Sequence, residues 1–255
     1  LLGLHYAPMQ SPPELDKPPI VEVVCGVRFA PLALSAPLLG LHWAGRRKEY
    51  PKTEVRPAIG EYSFTGAELP PQRVWMVSED GSRLVQIQHD RFYVNWRATG
   101  EAYPRFSNIH AAFKAEYEDF RKFCLQEIET SPNPLETELA KISVLRQPKH
   151  WSDFADLCAA LPALSPAKSL LESDYPNVGI QLNAVQGECV VHCAISTGID
   201  TESGSRVVKI DNRVNRDTTG PKLFEELDAS NALLNDLFCR LVPKQEMITR
   251  FGGHP

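Results

Sequence analysis

Alternation of apolar and polar positions starts at Ile20. Val21, Val23, Cys25, Val27 and Phe29 take every second place, with Glu22, Val24, Gly26 and Arg28 between them, which predicts a strand. Ser35 can cap a helix with Pro37 in its first turn, carrying Leu38, Leu41 and Trp43 and ending before Pro51. Residues 51–72 are rich in Pro and Gly, with one candidate strand at Glu61–Thr65. Val74–Ser78 and Arg83–Gln88 flank Glu79-Asp80-Gly81-Ser82, a hairpin signal because Asp-Gly supplies the positive φ angles of tight turns. A third strand follows at Phe92–Arg97. Phe106, Ile109, Phe113, Tyr117, Phe120, Cys124 and Ile128 then recur at steps of three and four, the apolar stripe of a long helix.

A similar order follows Pro132 and Pro134. A strand is predicted at Glu138–Leu145, a helix from Ser152 with Phe154, Leu157, Cys158 and Leu161, and a connector over Pro162–Pro176. Strands at Val178–Val185, Cys189–Ser196 and Arg206–Arg213 precede a helix carrying Phe224, Leu227, Leu234, Phe238 and Leu241. The expected fold class is α+β, with antiparallel sheets covered by helices. The expected organisation is a Pro-rich arm over 1–19, a first sheet-and-helix half over 20–131 and a second over 135–251. This order resembles helix-on-curved-sheet folds, including the duplicated saddle of TATA-binding proteins.

Composition narrows the function classes. The 255 residues are 43% hydrophobic and 23% charged, enough apolar content for a sizeable core. The formal net charge of −5 argues against gripping nucleic acid through bulk charge. The six cysteines sit mostly within apolar runs, which predicts buried thiols in a reducing, cytoplasmic setting. The most apolar stretch, Ala30–Leu41, contains two prolines and is shorter than the roughly 20 residues that span a bilayer, so no membrane contact is expected.

Catalytic patterns are scarce. Cys189 and Cys193 share a strand face while His192 points to the other, so at most two ligands converge and no metal is expected. None of the seven histidines lies in a nucleophile–base motif, and Gly252-Gly253 lacks the Lys-Ser or Lys-Thr of a phosphate loop. No cofactor is expected. The polar strand faces are the remaining candidates: Gln86, Gln88, Arg91, Tyr93, Asn95 and Arg97 in the first half, and Gln181, Asn183, Lys209 and Arg213 in the second. Antiparallel sheets ordinarily leave one side wet. The functional reading is a recognition surface, because Gln, Asn and Arg give directional hydrogen bonds and Tyr a flat contact. The run Arg46-Arg47-Lys48 suits the end of a helix and is a weaker candidate for phosphate.

Pro18–Phe29, Val74–Gln88 and Asp90–Arg97 carry a family resemblance. They resemble a sporadically distributed family of uncharacterised prokaryotic proteins of similar length, most strongly over residues 18–125. The second half departs from it, lacking a Tyr-Ile-Asn pattern at Lys141–Leu145. The resemblance implies no catalytic residue, and its patchy distribution implies a defence or toxin-control setting. The expected function is non-enzymatic recognition of another protein. The alternatives are a nucleic-acid-binding accessory protein, or a small-ligand binder or enzyme with a pocket between sheet and helix.

Overall fold

In the computed structural model, which describes residues 13–60, 72–100, 102–171 and 173–253, the strands join into one antiparallel sheet. The first half supplies β1 (Ile20–Phe29), α1 (Ala36–Arg46), β2 (Lys52–Pro57), β3 (Gln72–Val77), β4 (Arg83–Gln88), β5 (Arg91–Arg97) and α2 (Phe106–Ile128). The second supplies β6 (Pro134–Arg146), α3 (Phe154–Ala160), α4 (Ser165–Leu170), β7 (Gly179–Gln186), β8 (Cys189–Ile199), β9 (Arg206–Asp217), α5 (Leu223–Leu241) and α6 (Lys244–Phe251).

Among the described residues the sheet has nine strands in the order β2-β3-β4-β5-β1-β6-β9-β8-β7. β1 and β6 meet at its middle, with Cys25 opposite Leu139. The two halves therefore share a continuous sheet.

One face of the sheet is apolar because strand alternation puts Val23, Cys25, Val27, Phe92, Val94 and Trp96 there. The α2 stripe, including Ile109, Phe113, Tyr117, Phe120 and Cys124, covers these residues, and Phe92 stacks on Phe120 with centroids 4.9 Å apart. Leu223, Leu227 and Leu234 of α5 close the same core. A second core holds Ile195, Val208 and Ile210 under Phe154, Leu157, Leu161 and Leu164, with Met247 and Phe251 of α6. Burying so many apolar side chains, at about 1.5–3 kcal/mol each, is the main force holding helices to sheet.

Four departures from the sequence reading have physical causes. β2 forms from Lys52–Pro57, exposed at every position, so no apolar alternation announces it. α6 is a separate short helix, because Val242-Pro243 breaks α5. The described end of the Pro-rich arm is packed: Pro19 is buried, Leu15 sits against the second core, and Lys17 donates its N–H to the Phe251 carbonyl at 2.9 Å. The tail is packed with it, since a Cβ on Gly253 (φ 138°) would meet the Glu14 carbonyl oxygen at 2.4 Å. The strand expected at Glu61–Thr65 and the arm before Pro13 lie outside the described residues.

Candidate functional site

The face of the sheet opposite the helices carries all the strand residues singled out as a recognition surface. Register brings them side by side: Gln86 lies opposite Tyr93, Gln88 opposite Arg91, and Asn183 opposite His192, which in turn faces Arg213. The two flanks of this face differ.

On the first-half flank Gln86, Gln88, Tyr93 and Asn95 are buried, which corrects the expectation of a solvent-facing surface. Each of these four side chains has a polar partner. Arg73 donates to Gln86 Oε1 at 3.2 Å, Gln86 donates to Asn95 Oδ1 at 2.8 Å, and Asn95 donates to Glu22 at 2.6 Å. Arg97 donates to the same Glu22 oxygen at 3.1 Å. Gln88 donates to the Ile59 carbonyl at 3.0 Å and to Asp90 at 2.7 Å, and Asp90 pairs with Arg91 at 2.9 Å.

Tyr93 lies across Gly26, where a Cβ would come within 2.1 Å of the ring. Only glycine leaves room for that ring. The Tyr93 hydroxyl donates to Glu138 at 3.0 Å, and Arg213 donates to the other Glu138 oxygen at 2.7 Å. Burial, then the Glu138 charge, push the Tyr93 hydroxyl pKa well up, so it stays a neutral donor. These side chains form a structural layer and are already satisfied internally. Sequence alternation finds the face but is silent on whether it is covered.

Nearby, the guanidinium groups of Arg56, Arg73 and Arg97 lie 4.8, 5.3 and 5.2 Å from the Trp75 ring centroid. Such contacts are each worth about 0.5–1 kcal/mol at exposed sites. The basic run is split. Arg46 is held by Glu49 at 2.7 Å, Glu116 at 2.7 Å and Asp119 at 2.9 Å, which removes it as a phosphate contact. Arg47 and Lys48 are exposed.

On the second-half flank Gln181, Asn183 and Lys209 are exposed and Arg213 is partly so. Asn183 contacts His192 Nδ1 at 2.7 Å, and Lys209 pairs with Asp211 at 3.2 Å. Cys189 and Cys193 are buried on the opposite, core side. No group of three or more metal-ligating side chains is found among the described residues.

Among the described residues the sheet ends at β7, a second exposed edge opposite β2. Seven of the eight β7 residues are exposed, and Leu182 and Val185, on opposite faces, are 56% and 77% accessible. Thr197 donates its N–H to the Val178 carbonyl at 3.0 Å. In the β7–β8 register, even-numbered β7 residues therefore bond to β8, while Gly179, Gln181, Asn183 and Val185 turn their N–H and C=O outward. Among the described residues β7 has one strand neighbour. The sequence held a signal for this edge: Gly179–Gln186 has no charge and no proline, the two usual guards of an edge strand.

Among the described residues no helix is long and apolar enough to cross a membrane. No protein-family model matches the sequence, and neither does any curated protein.

Proposed function

We propose that this chain is a non-enzymatic binding protein that recognises another protein by accepting an extended segment along β7. The observation that carries this reading is the outward row of backbone groups at Gly179, Gln181, Asn183 and Val185, which meet no second strand among the described residues, on a strand without charge or proline. Added strands gain affinity from main-chain bonds and specificity from alternate side-chain contacts. Here Leu182 and Ala184 would meet the partner on the helix side, and Gln181 and Asn183 on the polar side, with Lys209 and Arg213 further in.

The strand order supports a related reading of the fold. From the centre outward the halves run β1-β5-β4-β3-β2 and β6-β9-β8-β7. We read these as two pseudo-repeated halves in a TATA-binding-protein-like arrangement, each running strand, helix, strands, helix. β7 is then the counterpart of β3. β3 is covered by β2, whereas among the described residues of 161–178 no strand covers β7. The partner would fill that tenth position. On the family resemblance, such a partner would belong to a bacterial defence or toxin-control setting.

A Gln181→Pro variant tests the reading. It removes an outward N–H without touching the β7–β8 bonds. Co-purification from the native host should yield a stoichiometric partner with wild type and lose it with the variant, at an unchanged Tm. Protection of the Gln181 and Asn183 amides from hydrogen exchange should appear only in the complex. Partner retention by Gln181→Pro, with the Gln181 and Asn183 amides of the wild-type complex still exchanging, sinks the proposal.

The Arg56, Arg73 and Arg97 cluster around Trp75 favours a second reading, single-stranded nucleic acid held by stacking and phosphate contacts. That binding would fall steeply with salt because counterion release drives it. Strand addition at β7 would change little.

A further inference from the structure

A cavity of about 210 Å³ lies between the middle of the sheet and α5, closed at one side by the arm and the start of α2. It is smaller than the roughly 300–1,000 Å³ of drug-sized sites, which limits it to a small molecule. Its apolar wall includes Leu15, Ile20, Phe106, Leu234, Phe238 and Met247. Its polar groups are built from facing elements. Lys141 of β6 stands on the helix side of the sheet, opposite Asn212 of β9, and Asn231 and Asn235 lie one turn apart on α5.

Lys141 is 8% exposed, and its Nζ donates to Asn235 Oδ1 at 2.6 Å. Its Nζ also lies 5.6 Å from the Phe106 ring centroid. No carboxylate among the described residues pairs with it. An unpaired ammonium this deep is costly, and burial accordingly pulls its pKa down to about 8. Two further groups are incomplete: Asn212 Oδ1 and Asn231 Oδ1 are buried acceptors without a donor among the described residues. Buried polar atoms are rarely left so.

The cavity mouth adds positive potential. The 23-residue α2 begins at Phe106 in the cavity wall, and its N-cap residue, Arg105, makes no side-chain cap. The helix dipole favours an anion at such an end. Arg105 sits at the rim, held by Glu14 at 2.8 Å, with φ 70° and ψ 148°. A non-glycine residue in that region is strained, a condition that collects at ligand sites.

From these groups we infer that the cavity binds a small amphipathic carboxylate bearing a hydrogen-bond donor, such as a 2-hydroxy or 2-amino acid with an apolar side chain. Lys141 takes the carboxylate, Asn212 and Asn231 accept from the hydroxyl or amine, and the Leu234, Phe238 and Met247 wall takes the apolar body. A phosphate fits less well, since its extra oxygens would face those carbonyl oxygens and hydrocarbon. This site lies across the sheet from the polar face and does not depend on strand addition at β7.

The test is calorimetry on the full chain with 3-phenyllactate, indole-3-lactate, 2-hydroxyisocaproate and leucine. At least one should bind saturably, one per chain. For the best binder, the matching primary amide, which lacks the charge, should bind at least tenfold more weakly. The analogue without the 2-hydroxyl or 2-amino donor should lose a similar factor. Lys141→Met, which removes the buried charge and keeps the volume, should stay folded and lose the acid's affinity at least tenfold. Should Lys141→Met fail to fold, perturbation of the Lys141 and Asn231 side-chain NMR signals by the acid in wild type replaces it. Equal affinity for acid and amide, undiminished binding by Lys141→Met, unmoved Lys141 and Asn231 signals, or no binding by any acid at millimolar concentration overturns the inference.

Discussion

At one end of the sheet β2 is exposed along its length, and at the other β7 nearly so, but they are built differently. β2 carries Lys52, Glu54 and Arg56 and ends at Pro57, whereas β7 runs from Gly179 to Gln186 without a charge. Charges and proline discourage a passing strand from pairing with an edge. The flanks behind these edges diverge in the same sense. Behind β2 and β3, the amides of Gln86, Gln88 and Asn95 are buried in a bonded layer; Gln181 and Asn183 of β7 are open. The same residue types serve as internal struts on one side and as free surface on the other. On the function proposed above, the β7 side would be the binding flank.

The largest effect should come from breaking the first flank. Tyr93→Ala removes a buried ring and its bond to Glu138, and should cost about 3–5 kcal/mol in urea unfolding, as truncated buried aromatics do. Gly26→Ala forces a methyl into the same ring and should cost about 1–3 kcal/mol through overpacking. The two must couple. In the Tyr93→Ala background, Gly26→Ala should be far less damaging, because the atoms it strikes are gone. Additive costs would show that Tyr93 does not lie across Gly26.

A matched pair of amide substitutions sharpens the comparison at lower cost. Asn95→Ala strands Gln86 and leaves Glu22 with one fewer donor, so about 1–3 kcal/mol should be lost. Asn183→Ala, on the open flank, should stay within about 0.5 kcal/mol. Equal losses at both positions would mean that β7 is covered in solution.

This contrast marks where the sequence stops being informative. The strand–helix order, the Asp80-Gly81 hairpin and the α2 stripe are legible because each follows from local chemistry, period or turn residue; Ser35 stands at the N-cap of α1 but makes no side-chain cap bond. Which strand face meets the helices is also legible along β5, where Phe92, Val94 and Trp96 oppose Tyr93 and Asn95. Whether the second face is covered depends on partners distant in sequence, such as Glu22 and Glu138, and no local pattern encodes it. β2 escapes notice because a strand exposed on both faces needs no apolar alternation. Lys141 hides for a similar reason. Leu139, Lys141, Ser143 and Leu145 alternate with Ala140, Ile142 and Val144, so neither face of β6 reads as clearly polar, and only the register beside Val23 and Asn212 puts the lysine inside.

The smallest expected effect compares the halves through one buried histidine in each. His42 of α1 lies between Phe120 and Phe123, with centroids 5.9 and 4.7 Å away, and its Nε2 is buried without a partner among the described residues. His150, after β6, accepts the Arg146 N–H at 2.9 Å. Burial lowers both pKa values from 6.5 to about 4; for His150 the charges of Lys149, Arg146 and Arg250 push the same way. Between those values the unfolded chain binds protons that the folded chain refuses. Stability should therefore fall as pH drops from 6.5 towards 4. The depressed carboxylates Asp90 and Asp156 lose their contribution below about 3.8, outside that window. His42→Leu should leave stability at pH 7 nearly unchanged or raised, since it removes an unpaired polar atom from an aromatic pocket, and should flatten the acid slope. His150→Leu should flatten the slope too, but at a cost of about 1–3 kcal/mol at pH 7, because the Arg146 N–H loses its acceptor. Urea midpoints at half-unit steps from pH 7 to 4.5 read both quantities. An unchanged slope in His42→Leu would show that this imidazole takes up its proton in the folded state.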